Sequence, residues 1–139
     1  MINYVLIALV VILILAVGLL WLMKRRPALS GGDKDKIQAM WANVEMLMSD
    51  DSEASWMKAV FEADKALEYT LSARGITGSN LADRLKSGKT LFSNVQSAWD
   101  AHKLRNRLAH EMDVRLARHE AERAIQLFKD SLRQLGTGI

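Results

Sequence analysis

Six polar side chains crowd the segment Ala101-His102-Lys103-Leu104-Arg105-Asn106-Arg107-Leu108-Ala109-His110. An imidazole that titrates near neutrality can take or give a proton, and a guanidinium can stabilise negative charge developing on an anionic group. The segment supplies both kinds of group, and Arg105 and His110 are one pair that could act together. Asn106 lies four residues before His110, on nearly the same helical face, where its amide would orient the imidazole or hold a phosphate. His102 lies one further turn back, and Lys103 and Arg107 would extend a phosphate-binding surface. Asp100, Glu111 and Asp113 stand close enough to offset that surface. By charge alone the segment reads as a solvated basic face near a helix C-terminus.

Geometry constrains the pair. Five residues advance an ideal helix by about 500°, which leaves the side chains of Arg105 and His110 about 140° apart around the axis. Their convergence needs the helix to end before His110, or a second copy of the chain to supply its own pair across a two-fold axis.

Other motifs carry less chemistry. Gly88-Lys89-Thr90 matches the end of a phosphate-binding loop, but Asp83 stands where its first glycine is required, so the segment reads as a turn between helices. Neither His110-Glu111 nor His119-Glu120 continues into the spacing that places two imidazoles on one helical face, and no metal or other cofactor is expected. The chain has no cysteine, which excludes a disulfide framework, a thiolate zinc site and a cysteine nucleophile. Trp41, Trp56 and Trp99 fall on apolar stripes, where core packing is their ordinary role.

The elements that must position these residues read as helices throughout, and an all-α fold is expected. Ile37, Met40, Trp41, Val44, Leu47 and Met48 recur at three- and four-residue steps, a helix that Ser49-Asp50-Asp51 ends. Ser52 caps a second, whose stripe of Trp56, Val60, Ala63, Leu67 and Leu71 runs to a stop at Gly75. A short helix follows Gly78-Ser79-Asn80 and closes at Ser87-Gly88. A third long helix carries Leu91, Val95, Ala98, Trp99, Leu104 and Leu108, starting near Ser93 and ending near His110. The last runs from about Val114 through Ala117, Ala121, Ala124, Phe128, Leu132 and Leu135 to Gly136. Short connections favour antiparallel neighbours, and Gly75, Gly78 and Gly88 rule out one continuous coiled coil.

Before these helices comes a different material. Met1 to Met23 carries no charge, and residues 2–23 are about the length an apolar helix needs to cross a hydrocarbon core of about 30 Å. Lys24, Arg25 and Arg26 follow it directly and no basic residue precedes it, so the positive-inside bias predicts a single-pass protein with its N-terminus outside and its C-terminal domain cytoplasmic. A cleaved signal peptide would need a basic start, which Met1, Ile2 and Asn3 do not supply. The expected organisation is a transmembrane anchor with its basic flank over 1–26, a linker over 27–32 containing Pro27, Gly31 and Gly32, and a helical-bundle domain of four to five helices over 33–139. With the three flanking cations set aside, 16 basic residues meet 16 acidic ones, which argues against bulk coating of nucleic acid. Gly18 has no small residue four positions away, so dimerisation is expected from the helices after Asp33.

Arg105-Asn106 followed by His110 resembles the Arg-x4-6-His motif of the HEPN superfamily. Ala63-Asp64-Lys65-Ala66-Leu67, then Gly75 to Leu85, then the Arg-Asn-Arg-Leu-Ala-His block stand in the order expected for HEPN-like domains, over roughly residues 50 to 136. That resemblance implies a small all-α domain that dimerises and either cleaves RNA without metal or binds RNA or nucleotides. In this reading His110 would move a proton at a ribose 2′-hydroxyl or a leaving oxygen, and Arg105 would stabilise charge on the scissile phosphate. Asn106, His102, Arg107 and Lys103 would bind the substrate.

A structural reading competes. Asp64 or Glu62 on the neighbouring helix would meet Arg105 in an ion pair, making the polar block a clasp inside a membrane-tethered homodimerisation or protein-interaction module. Exposure of Arg105 and His110 in a shared cleft would favour the nuclease, and burial against acidic partners the clasp.

Overall fold

The structure, a computed structural model, describes residues 2–139. Among the described residues all regular structure is helical: α1 Ile2–Lys24, α2 Gly31–Ser49, α3 Glu53–Ala73, α4 Leu81–Ser87, a single 3-10 turn Lys89–Leu91, α5 Val95–His110 and α6 Arg118–Gln134. Helix α1 is long and apolar enough to cross a membrane, and none of its Asn3–Met23 stretch is buried within the chain. Helices α2, α4, α5 and α6 pack around α3.

Local chemistry sets most helix starts. Ser30 and Asp33 cap α2 reciprocally, the hydroxyl accepting from the Asp33 amide at 3.0 Å and the carboxylate accepting from the Ser30 amide at 3.2 Å. That pairing draws Gly31 and Gly32 into the first turn of α2, two residues before the boundary expected at Asp33. Ser52, Asn80 and Asn94 accept from the amides of Ser55, Asp83 and Gln96 and start α3, α4 and α5. Leu91 therefore belongs to the 3-10 turn and not to α5. Gly75 ends the α3 turn at φ +69, in the left-handed region, with the Pro27 ring against it.

Helix α6 starts at Arg118, four residues after the expected Val114. Leu116 is buried, and its amide donates to Glu53 Oε1 at 2.7 Å. This contact with the start of α3 holds residues 111–117 as a loop, with Asp113 at φ +60.

The stripes read from the sequence form the core. Ile37, Trp41 and Val44 of α2 join Val60, Ala63, Leu67 and Leu71 of α3, Leu81 and Leu85 of α4, Ala98, Ala101 and Leu108 of α5, and Phe128 and Leu132 of α6. Burying a side chain of this size contributes roughly 1.5–3 kcal/mol, so α3, packed against the four other helices, dominates the stability of the bundle.

The contacts also give the bundle two poles. At one, Pro27 lies against Gly75, Arg26 Nη2 donates to the Ser87 carbonyl at 3.4 Å, Arg74 Nη1 donates to the Leu135 carbonyl at 2.9 Å, and Ser93 meets Gln134. At the other, Glu53 and Asp51 meet Arg115 and Arg118. Helices α3 and α6 thus run in the same direction, and α2 and α5 run against them.

Candidate functional site

On α5, residues 102, 105 and 106 share one helical face at i, i+3 and i+4, and Ala98 and Ala101 on the same side let α5 approach α3 closely. The residue that meets this face is Asp64. It lies on the inner side of α3 between Val60 and Leu67, with only 5% of its side chain exposed. His102 Nδ1 stands 2.6 Å from Asp64 Oδ1, and Arg105 Nε stands 3.5 Å from Asp64 Oδ2. Asn106 Nδ2 lies 3.1 Å from His102 Nε2, and Arg105 Nη1 donates to Asn106 Oδ1 at 3.1 Å. The four side chains close a ring.

The ring fixes its own proton order. Arg105 can only donate, so the Asn106 oxygen faces it and the Asn106 amide nitrogen must donate to His102 Nε2. His102 then carries its hydrogen on Nδ1 and donates it to Asp64, an assignment read from the network of partners. In this state both imidazole nitrogens are occupied. The Arg105 guanidinium also lies over Phe61, 5.5 Å from the ring centroid, and Trp99 meets the His102 ring edge to face at 6.1 Å.

An open hollow of about 280 Å³ borders the ring, with Glu68, Asn80, Leu81 and Ala82 completing its wall. Its charged lining is Asp64, Glu68 and Arg105, one net negative charge. Such a wall repels a polyanion. Arg105 shows about a third of its side chain, 32%, to solvent.

The remaining expected site residues lie elsewhere. His110 is exposed at the last turn of α5, and among the described residues no hydrogen bond or ion pair joins it to Arg105. Lys103 and Arg107 are exposed about 100° around α5 from His102 and Asn106. There Lys103 lies 3.9 Å from Asp100, and Arg107 lies 3.5 Å from Glu120 of α6. Of the two acids on α3 that could meet Arg105, Asp64 does so, and Glu62 pairs with Lys65 at 2.9 Å. Glu68 and Asn80 were not among the expected site residues. A signal for Asp64 was present in the sequence, since a carboxylate on an apolar stripe requires a buried partner.

A second polar cluster ties the loop before α6 to α3. The Leu116 amide first, and then Arg115, hold the Glu53 carboxyl below its ordinary range. The Ala117 amide first, with Arg107 and His119 adding to it, does the same for Glu120. Both clusters position helices by joining residues distant in the chain.

No protein-family model, curated protein or solved structure matches the chain.

Proposed function

We propose that this chain is a membrane-tethered, HEPN-like helical module whose Arg/His block is an internal clasp, and that it works through association with a second copy or a cytoplasmic protein and not through turnover. The observation that carries this reading is Asp64, a buried carboxylate engaged by both His102 and Arg105. A guanidinium paired in this way has less charge to offer a phosphate, and an imidazole bonded at both nitrogens has no free lone pair to act as a base. In this proposal α1 spans the bilayer through residues 2–23, and Lys24, Arg25 and Arg26 keep the bundle on the cytoplasmic side.

One observation favours a second reading, RNA binding or cleavage at a dimeric Arg105–His110 site. His110 is exposed, and a third of Arg105 reaches solvent beside it in sequence, so a two-fold partner would have access to both. The test is incubation of the full chain in lipid nanodiscs with labelled single-stranded RNA in EDTA, beside His110→Ala. That variant alters an exposed side chain and leaves the ring intact. No cleavage by either protein supports the clasp reading, whereas metal-independent cleavage lost in His110→Ala establishes the nuclease.

A further inference from the structure

We propose that the pole of the bundle beside Pro27 is a docking face for the anionic phospholipid surface in which α1 is embedded, an inference that rests on reading α1 as a membrane span. As the chain leaves α1, Arg26 reaches the Ser87 carbonyl and Pro27 packs against Gly75. Those contacts place the end of α4, with Lys86 and Lys89 on either side of Ser87, next to Arg25 and Arg26. Lys34, one turn into α2, belongs to the same pole. All five cations are exposed, and among the described residues Lys34, Lys86 and Lys89 form no ion pair.

Acids at this pole are fewer. Asp33 is engaged by Ser30, by the Tyr69 hydroxyl at 2.8 Å and by the charge of Lys36, Asp83 is engaged by the Ser79 hydroxyl and the charge of Lys86, and Asp35 is exposed. With Lys36 included, six exposed cations against these three acids leave a charge of +3. At the opposite pole Asp50, Asp51, Glu53, Glu111 and Asp113 face Arg115 and Arg118, which leaves −3. The bundle is therefore polarised along its length, with the basic pole on the side of the tether.

The tether brings that charge within reach. Six residue steps from Lys24 to Ser30 span at most about 20 Å, and the Debye length at 0.1 M salt is about 10 Å. A basic pole confined this close to phosphate and carboxylate headgroups is drawn onto them, and each Lys or Arg strengthens the attraction. The membrane surface is the occupant that covalent attachment supplies at the highest local concentration.

The absence of cysteine makes the test direct. Thr90→Cys at the basic pole and Met112→Cys at the acidic pole, both exposed positions, each receive a nitroxide label in the full chain. The proteins are placed in nanodiscs of phosphatidylcholine, or of phosphatidylcholine and phosphatidylserine in equal parts, with a lipid-attached nickel chelate as relaxing agent. The expected result is stronger relaxation at Thr90→Cys in the anionic discs than in the neutral ones, reversed by salt, with Met112→Cys unchanged. Adding Lys86→Gln and Lys89→Gln should weaken docking about 30-fold.

Relaxation that is the same in both lipids, in protein that is incorporated, overturns the docking and leaves the span intact. Failure of the chain to enter discs overturns the span, and the docking with it. Single-stranded RNA that binds the pole in neutral discs and displaces it from anionic ones would assign the cations to nucleic acid and also overturn the proposal.

Discussion

His102 and His110 stand on the same helix, eight residues apart, and the two stretches of α5 around them differ in almost every respect. In the first, Ala101 to Asn106, Ala101 lets α5 sit against α3, His102 and Asn106 are hydrogen-bonded, and Arg105 forms an ion pair with Asp64. In the second, Arg107 to Asp113, the helix runs out. Leu108 is still buried, but His110, Glu111 and Met112 face solvent. The comparison teaches that polar residues of similar chemistry on one helix take their roles from what the neighbouring helix presents. Where α3 offers a carboxylate, the imidazole becomes part of the interior. Beyond it, the imidazole stays accessible.

Substitutions at the buried stretch should give the largest effects. Asp64→Ala leaves Arg105 half-buried without its counter-charge and should cost about 3–5 kcal/mol, measured by urea unfolding of the full chain in detergent. A loss below about 1 kcal/mol would mean that the ring contributes little to the fold. Removing the imidazole with His102→Ala should cost roughly 1–3 kcal/mol, because the Asp64 oxygen it satisfies is then buried unpaired. Asn106→Ala, which opens the ring without removing a charge, should cost about 1 kcal/mol in the same measurement.

A pH titration probes the loop that separates the two stretches from α6. The folded-state carboxyl of Glu53 titrates below its ordinary value, so its contribution is present above about pH 4.5 and is lost as pH falls through the lower, folded-state value. Glu53→Gln should therefore flatten the acid limb of a stability profile and leave the neutral region's slope unchanged. An acid limb identical to that of the parent chain would show that the Leu116 and Arg115 contacts do not hold in solution. Smallest of all, His110→Ala should change stability by less than about 0.5 kcal/mol, as expected for an exposed side chain. A larger loss in unfolding would place His110 in a contact absent from the single chain, such as one with a second copy.

Much of the fold was legible in the sequence because its signals are local. Ser52, Asn80 and Gly75 mark helix ends by backbone hydrogen bonding and left-handed geometry within four residues of themselves. The stripe from Val60 to Leu71 marked the central helix for the same reason. The start of α6 was not legible, because Glu53, 63 residues away, holds the Leu116 amide outside the helix. Spacing does put Asp64, and not Glu62, on the stripe of Val60 and Leu67, but which α5 side chains reach it depends on how α5 packs against α3.

By itself, then, the sequence determined the helical content, the uncharged stretch before Lys24, the helix starts at Ser52 and Asn80 and the polar run from His102 to His110. Each follows from interactions within a few residues or from the 3.6-residue period. Tertiary structure alone decided that His102 and not His110 joins Arg105, that Asp64 is shared between them, and that the basic and acidic residues collect at opposite ends. Those outcomes depend on which helices pack together, and side chains brought together by packing are far apart along the chain.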